Sequence, residues 1–102
     1  MILETAYPWT TEHKDDYNNQ FGNEIPLAGY PFSRQGQSDL LQKLTQEVID
    51  GGGDGIVYWE PAWISSEMKD LWGTGSSWEN NTLFDFEGNT IQSMDFFKYD
   101  YK

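Results

Sequence analysis

The chain opens on an apolar run, Met1-Ile2-Leu3, that reaches a carboxylate at Glu4 with no turn before it. A continuous run of this kind predicts a buried parallel strand whose earlier residues are missing, because strands covered on both faces do not alternate. Residues 6 to 33 break the pattern. Pro8, Pro26, Pro31, Gly22, Gly29 and the polar stretch from Thr10 to Gln20 predict a long loop, and loops of that length in compact domains usually carry function or are disordered. Periodicity resumes after Ser33, a good N-cap residue. Leu40, Leu44 and Val48 recur at i, i+4 and i+8, with Leu41 and Ile49 widening the stripe. The spacing predicts a helix to about Asp50 whose apolar stripe is core. Gly51-Gly52-Gly53 then ends it with the left-handed residue a C-cap wants.

Gly55-Ile56-Val57-Tyr58-Trp59 predicts a second short strand, closed by Glu60-Pro61, since Pro61 cannot continue a central strand. A second long loop runs from Ala62 to about Thr82, rich in Gly, Ser and Trp. Leu83-Phe84-Asp85-Phe86 is a short apolar stretch, Glu87-Gly88-Asn89 a turn, and Ile91 to Tyr99 a last helix with Ile91, Met94 and Phe97 on one side. Strand, loop, helix, strand is one right-handed crossover of a parallel sheet. Two parallel strands alone leave open edges. The chain is therefore a piece of a larger α/β fold, or it completes itself by association. A (β/α)8 barrel takes about 250 residues, so these 102 match about two of its eight units plus long loops.

Composition narrows the partners. Six basic residues stand against seventeen acidic ones, a net charge of -11. That excludes the phosphate neutralisation on which nucleic-acid binding rests and the basic patch that anionic membranes attract; no stretch approaches a membrane span. A neutral polysaccharide fits, and so does a bound cation. With no cysteine there is no disulfide, thiol nucleophile or Cys-based zinc site. His13, the only histidine, lies on a polar loop and is expected to be exposed. Residues 1 to 4 lack the basic and apolar regions of a signal peptide. Five Trp, six Tyr and six Phe are many for this length; most should be core, but such rings also stack on sugar faces.

Active sites of such barrels sit at the C-terminal ends of strands, and both strands end alike. Glu4 precedes Thr5-Ala6-Tyr7-Pro8-Trp9, and Glu60 precedes Pro61-Ala62-Trp63. A carboxylate ringed by Trp and Tyr suits glycoside hydrolysis, where one carboxylate attacks an oxocarbenium-like centre. The plainer alternative is an ion pair with Arg or Lys in the barrel mouth.

Glu4-Thr5-Ala6-Tyr7-Pro8-Trp9, then Gly55 to Ile64 with its Tyr58-Trp59-Glu60-Pro61-Ala62-Trp63 run, then Ser76-Ser77-Trp78-Glu79-Asn80 and Leu83-Phe84-Asp85-Phe86 resemble glycoside hydrolase family 53, the arabinogalactan endo-β-1,4-galactanases. The resemblance spans nearly the whole chain. It implies that residues 1–102 are the C-terminal portion of one (β/α)8 catalytic domain, about strands seven and eight, with residues 54 to 60 as strand eight. Glu4 matches the strand-seven nucleophile of a retaining enzyme that cleaves β-1,4-galactan in pectic side chains. The acid/base Glu of the family lies on strand four, in a segment before residue 1, so this chain alone should be inactive. Trp59 matches a sugar platform, Pro8 and Trp9 border the substrate, Glu60 orients Glu4 or bonds a sugar hydroxyl, and Trp63 and Trp78 are weaker candidates. Catalysis implies no cofactor. A structural calcium, bound by some bacterial members, would fall to Asp16 or Asp15, Ser77 and Asp85. The implied partners are galactan or galacto-oligosaccharide and the missing N-terminal barrel segment, or self-association in its place; the parent would be secreted or held in the cell envelope. The competing readings are a non-catalytic carbohydrate-binding module and a self-associating module. The first is usually an antiparallel sandwich, which a capped helix between two buried-type strands does not resemble.

Overall fold

The computed structural model describes residues 1–102. In chain order it holds β1 (Ile2–Thr5), α1 (Arg34–Asp50), β2 (Ile56–Tyr58) and a final 3-10 helix over Gln92–Phe97. β1 and β2 pair in parallel, with Ile2 opposite Ile56 and Thr5 opposite Tyr58. Three steps along β1 thus span two along β2, so the ladder carries an irregularity, and such bulges bend a strand and re-aim its end. Hydrogen bonds close both ends: Ile2 N to Gly55 O at 3.1 Å and Trp59 N to Thr5 O at 2.8 Å.

The helix forms where the pattern placed it. Ser33 has extended backbone, and its Oγ accepts from Gly36 N at 3.0 Å, satisfying one of the free amides of the first turn. A Cβ on Gly36 would lie 1.9 Å from the Pro31 carbonyl oxygen, so only glycine lets the arriving loop pass this close. At the other end Gly51, Gly52 and Gly53 amides take the carbonyls of Glu47, Ile49 and Val48.

The face of α1 that meets the core differs from the expected stripe. Leu41 is fully buried, together with Gln37, Ser38 and Thr45, whereas Leu40, Leu44, Val48 and Ile49 are only half-buried. The reason is which elements lie where: β2 and the 3-10 helix cover the 37-41-45 face, and the chain covers the other only in part. The core is accordingly small. Leu41, Tyr58, Leu83 and Phe96 form it, with Ala6, Ile56, Phe84 and Met94 packed around. Most strand residues, expected to be buried, are open to solvent, Leu3 at 67% exposure; Tyr58 of β2 is the buried exception.

The last element is shorter and tighter than predicted. It is a single 3-10 segment, with Ile91 at its N-cap position and Phe97 exposed. With three residues per turn, i and i+3 eclipse, so Ser93 and Phe96 face inward, Met94 packs half-buried at the edge of the core, and Phe97 turns out to solvent. The turn at Glu87-Gly88-Asn89 stands as expected, closed by the Phe84–Thr90 bridge. The second long loop is less open than its composition suggests, because residues Gly75 to Leu83 form an unbroken buried run.

Candidate active site

Both strands deliver their C-terminal ends to one groove of about 370 Å³. Glu4, Thr5, Ala6, Tyr7 and Pro8 line it from β1 and the residues that follow. Phe21, Glu24, Ile25, Leu27 and Phe32 line it from the further course of the first long loop. Trp59, Trp78 and Asn81 supply the remaining wall. Glu4 is exposed there, and its carboxylate makes no hydrogen bond or ion pair within the chain. Trp59 follows β2 directly, 47% exposed, and its carbonyl accepts from the Trp78 indole Nε1 at 3.1 Å. Trp78 is itself buried and meets Phe21 edge-on at 5.4 Å. An unpartnered carboxylate beside a braced, half-exposed tryptophan is an arrangement that can receive a sugar.

The groove gathers some of the sequence-expected residues and leaves others out. Glu4, Pro8, Trp59 and Trp78 share it. Trp9 does not line it: it is 7% exposed, with its Nε1 on the Glu79 carbonyl at 3.2 Å. Phe86 tilts against the ring at 4.9 Å, and the Arg34 guanidinium lies over it at 5.2 Å. Glu60 is exposed in a left-handed turn, φ 48°, and its carboxylate makes no bond to Glu4. That turn takes it out of the alternation that aims Trp59 into the groove. Trp63 also lies outside the groove walls, half-buried, its carbonyl taken by Ser76 Oγ at 2.6 Å.

The acidic loop positions tie the chain together instead of converging on a cation. The Asp15 carboxylate accepts from the amides of Tyr17 (3.0 Å), Ser66 (3.3 Å) and Ser76 (2.6 Å), so it bridges the two long loops. Asp85 accepts from the amides of Asn89 (2.9 Å) and Glu87 (3.0 Å) of its own turn; these bonds, Asn89's foremost, hold its carboxyl below the usual carboxylate value. Ser77 is buried and Asp16 exposed. No three His, Asp or Glu side chains converge. Asp15, Asp16, Ser77 and Asp85 therefore form no calcium ligand set, because the Asp15 and Asp85 carboxylates are turned to backbone amides while Asp16 points to solvent and Ser77 is buried. His13 is exposed, its Nδ1 3.0 Å from the Asp15 carbonyl.

A buried polar network behind the groove was not foreseen. The Gln37 amide nitrogen reaches Tyr7 O (2.7 Å), Thr82 O (3.1 Å) and the Tyr58 hydroxyl (3.2 Å). Tyr58 in turn donates to Asn81 O at 2.6 Å and accepts from Tyr7 N at 3.0 Å. Ser93 Oγ donates to Gln37 Oε1. Burial pushes the Tyr58 phenol well above its ordinary value. A tyrosine inside an otherwise apolar strand was the available signal, since a buried phenol needs a partner. Glu79, 1% exposed, accepts from the amides of Lys14 and of Asp15 (3.3 Å) and clamps the first loop onto the second.

A parallel strand pair with a helix between, opening its groove at the strand ends, is one crossover unit of the kind a (β/α)8 barrel repeats. Residues 1–97 match glycosyl hydrolase family 53, and the chain belongs to that family. An arabinogalactan endo-β-1,4-galactanase of Cellvibrio japonicus is 45% identical over 104 residues, which is 100% of this chain and 28% of that protein. An endo-β-1,4-galactanase of Bacillus subtilis is 33% identical over 135 residues, 97% of this chain and 30% of its own. The solved family 53 catalytic domain of Ignisphaera aggregans superposes with a TM-score of 0.78 at 34% identity, over 98% of this chain and 29% of its own. The chain thus spans less than a third of the relatives it matches. No helix is long and apolar enough to cross a membrane.

Proposed function

We propose that this chain carries the nucleophile side of a retaining endo-β-1,4-galactanase site. The observation that carries the reading is the meeting of Glu4 and Trp59 in one groove at the ends of adjacent parallel strands, within a chain of family 53. Glu4 attacks the anomeric carbon of a galactosyl unit and forms a covalent galactosyl-enzyme, which water then hydrolyses. Trp59 offers its face to the sugar at the cleavage point, and Pro8 and Trp78 shape the wall beside it. Trp9 supports the groove from behind; Glu60 and Trp63 act at its outer rim, toward more distant sugar units. The proton donor is a second carboxyl about 5 to 5.5 Å from Glu4, supplied by barrel units outside this chain. No cofactor enters this chemistry, and the loop clasp built on Asp15 stands where a bridging cation would. A pectic polymer is too large to cross a membrane, which places the parent enzyme outside the cytoplasm, secreted or in the cell envelope.

The test is a chimera in which this chain replaces the matching segment of the Cellvibrio japonicus galactanase. The chimera should release galacto-oligosaccharides from β-1,4-galactan. Glu4→Gln should lower kcat by on the order of 10⁴-fold or more, as loss of a catalytic nucleophile does. Activity retained in Glu4→Gln would sink the assignment.

A further inference from the structure

The groove holds a second carboxylate that the nucleophile reading leaves without a task. Glu24 lies on its wall, exposed, in the stretch Phe21 to Phe32. A carboxylate on a mobile surface loop would mean little, but this stretch is pinned at both ends. On one side the fully buried Asn80 gives its Nδ2 to the Phe21 carbonyl at 2.7 Å and to Thr10 O at 3.1 Å, and Gln20 N donates to Ser77 O at 2.8 Å. On the other, the Tyr7 hydroxyl accepts from Leu27 N at 2.9 Å and donates to Tyr30 O at 2.6 Å. Tyr7 stands three residues after Glu4, so the nucleophile strand itself positions this wall.

Glu24 is also fixed at its own carboxylate. Gly22 N donates to Oε2 at 2.7 Å, in a turn where Gly22 has φ 125° and a Cβ would lie 2.8 Å from Asn80 Nδ2. Neither the backbone angle nor the space admits a side chain at position 22. The amides of Gly22 first, then of Glu24 itself and Asn23, hold the carboxyl below its ordinary value, which favours the ionised form as acceptor. Oε1 takes no hydrogen bond from the protein, and an ionised carboxylate has about four acceptor sites. Ile25, 95% exposed, stands beside it on the same wall.

We infer that Glu24 is a substrate-binding residue of the galactanase site, accepting hydrogen bonds from a vicinal hydroxyl pair of a galactosyl unit next to the one Glu4 attacks. The inference rests on the proposed function and names a further contact of the same substrate. A sugar unit presents hydroxyls and a C–H face together. Glu24 meets the first, and Ile25 with Phe21 meets the second. Because the loop is held before substrate arrives, little ordering is needed on binding. Gly22 is the positioning residue, acting through the carboxylate that it aims.

The experiment is kinetic, in the chimera described above, with galactan of defined chain length. Glu24→Gln keeps shape and removes charge. It should raise KM about tenfold, the scale of one hydrogen bond to a charged group, with kcat changed less than about twofold and melting temperature unmoved. Gly22→Ala should raise KM to a similar degree without touching substrate, and the pair together should add little to either alone. Glu24→Asp retains charge one methylene short and should fall between. If Glu4→Gln abolishes activity while Glu24→Gln leaves KM unchanged, the inference fails and the nucleophile reading stands. If Glu24→Gln lowers kcat and melting temperature together, Glu24 is structural and the inference also fails. If Glu4→Gln stays active, both fail.

Discussion

Single residues decide whether an acidic loop is a metal site or a clasp. Asp15 gives its two carboxylate oxygens to three backbone amides from separate stretches of chain. Such charge-assisted bonds are the stronger kind. Replacing Asp15 by Ala leaves buried amides without acceptors and should lower the stability of the chimera by about 2 kcal/mol. EGTA should leave its melting temperature unchanged. A fall in EGTA comparable to that of Asp15→Ala would restore the calcium expectation; thermal unfolding with and without chelator settles it. The positions of Glu4 and Trp59 were readable beforehand. Glu4 and Trp59 stand at strand ends, and the C-terminal ends of parallel strands are where barrels place chemistry. The burial of Trp9 was not legible, because a tryptophan just after a strand looks alike whether its faces meet solvent or Phe86 and Arg34. Glu24 carried no signal and Asp15 only that of a cation ligand implied by the resemblance: an acidic residue in a polar loop otherwise reads as solvated, and only the fold shows which amides it meets.

At the scale of elements, α1 and the two strands appeared where hydrophobic spacing and caps put them. The misreadings share one cause, which is that periodicity marks an apolar face but not the neighbour that will cover it. Gln37, Ser38 and Thr45 are buried because β2, the 3-10 helix and the run 75–83 converge on their side of α1. The Gln37–Tyr58 network joins these elements, and it has a pH signature. The Tyr58 phenol is raised in the folded state above its ordinary value of 10.0, while the unfolded chain titrates near that value. Stability from this group is thus fully present below about pH 10 and is lost as pH rises toward the folded value. The melting temperature of the chimera should begin to fall near pH 10. Tyr58→Phe should cost about 1–3 kcal/mol at neutral pH, because the partners of the hydroxyl stay buried without it. The variant should also lose the part of the alkaline slope that Tyr58 carries. An alkaline slope identical in wild type and Tyr58→Phe would show that the phenol is not held neutral by this burial.

At the scale of the whole molecule, the chain is an elongated wedge of 42 × 24 × 22 Å with one small core and several unfinished surfaces. Met1, Leu3 and Val57 face solvent from the strands, and Leu40, Leu44 and Val48 are half-covered on α1. Thr5 Oγ1, at the groove, is shut off from solvent with no hydrogen-bond partner. In a closed barrel each of these meets another unit, since parallel strands are covered on both faces. This explains why element types were legible while burial was not: spacing records the environment of the complete barrel, and the chain holds about a quarter of it. Function should follow the same division. The polypeptide alone should release no sugar from β-1,4-galactan and should self-associate through its bare apolar faces, seen as a concentration-dependent mass by light scattering. Mixing it with the remaining barrel units of the Cellvibrio japonicus relative should shift that mass to a one-to-one complex and bring hydrolysis, with Glu4→Gln abolishing it. Hydrolysis by the chain alone would mean that Glu60, Glu24 or another group within these residues donates the proton, and the division of the two carboxyls between separate parts of the barrel would be wrong.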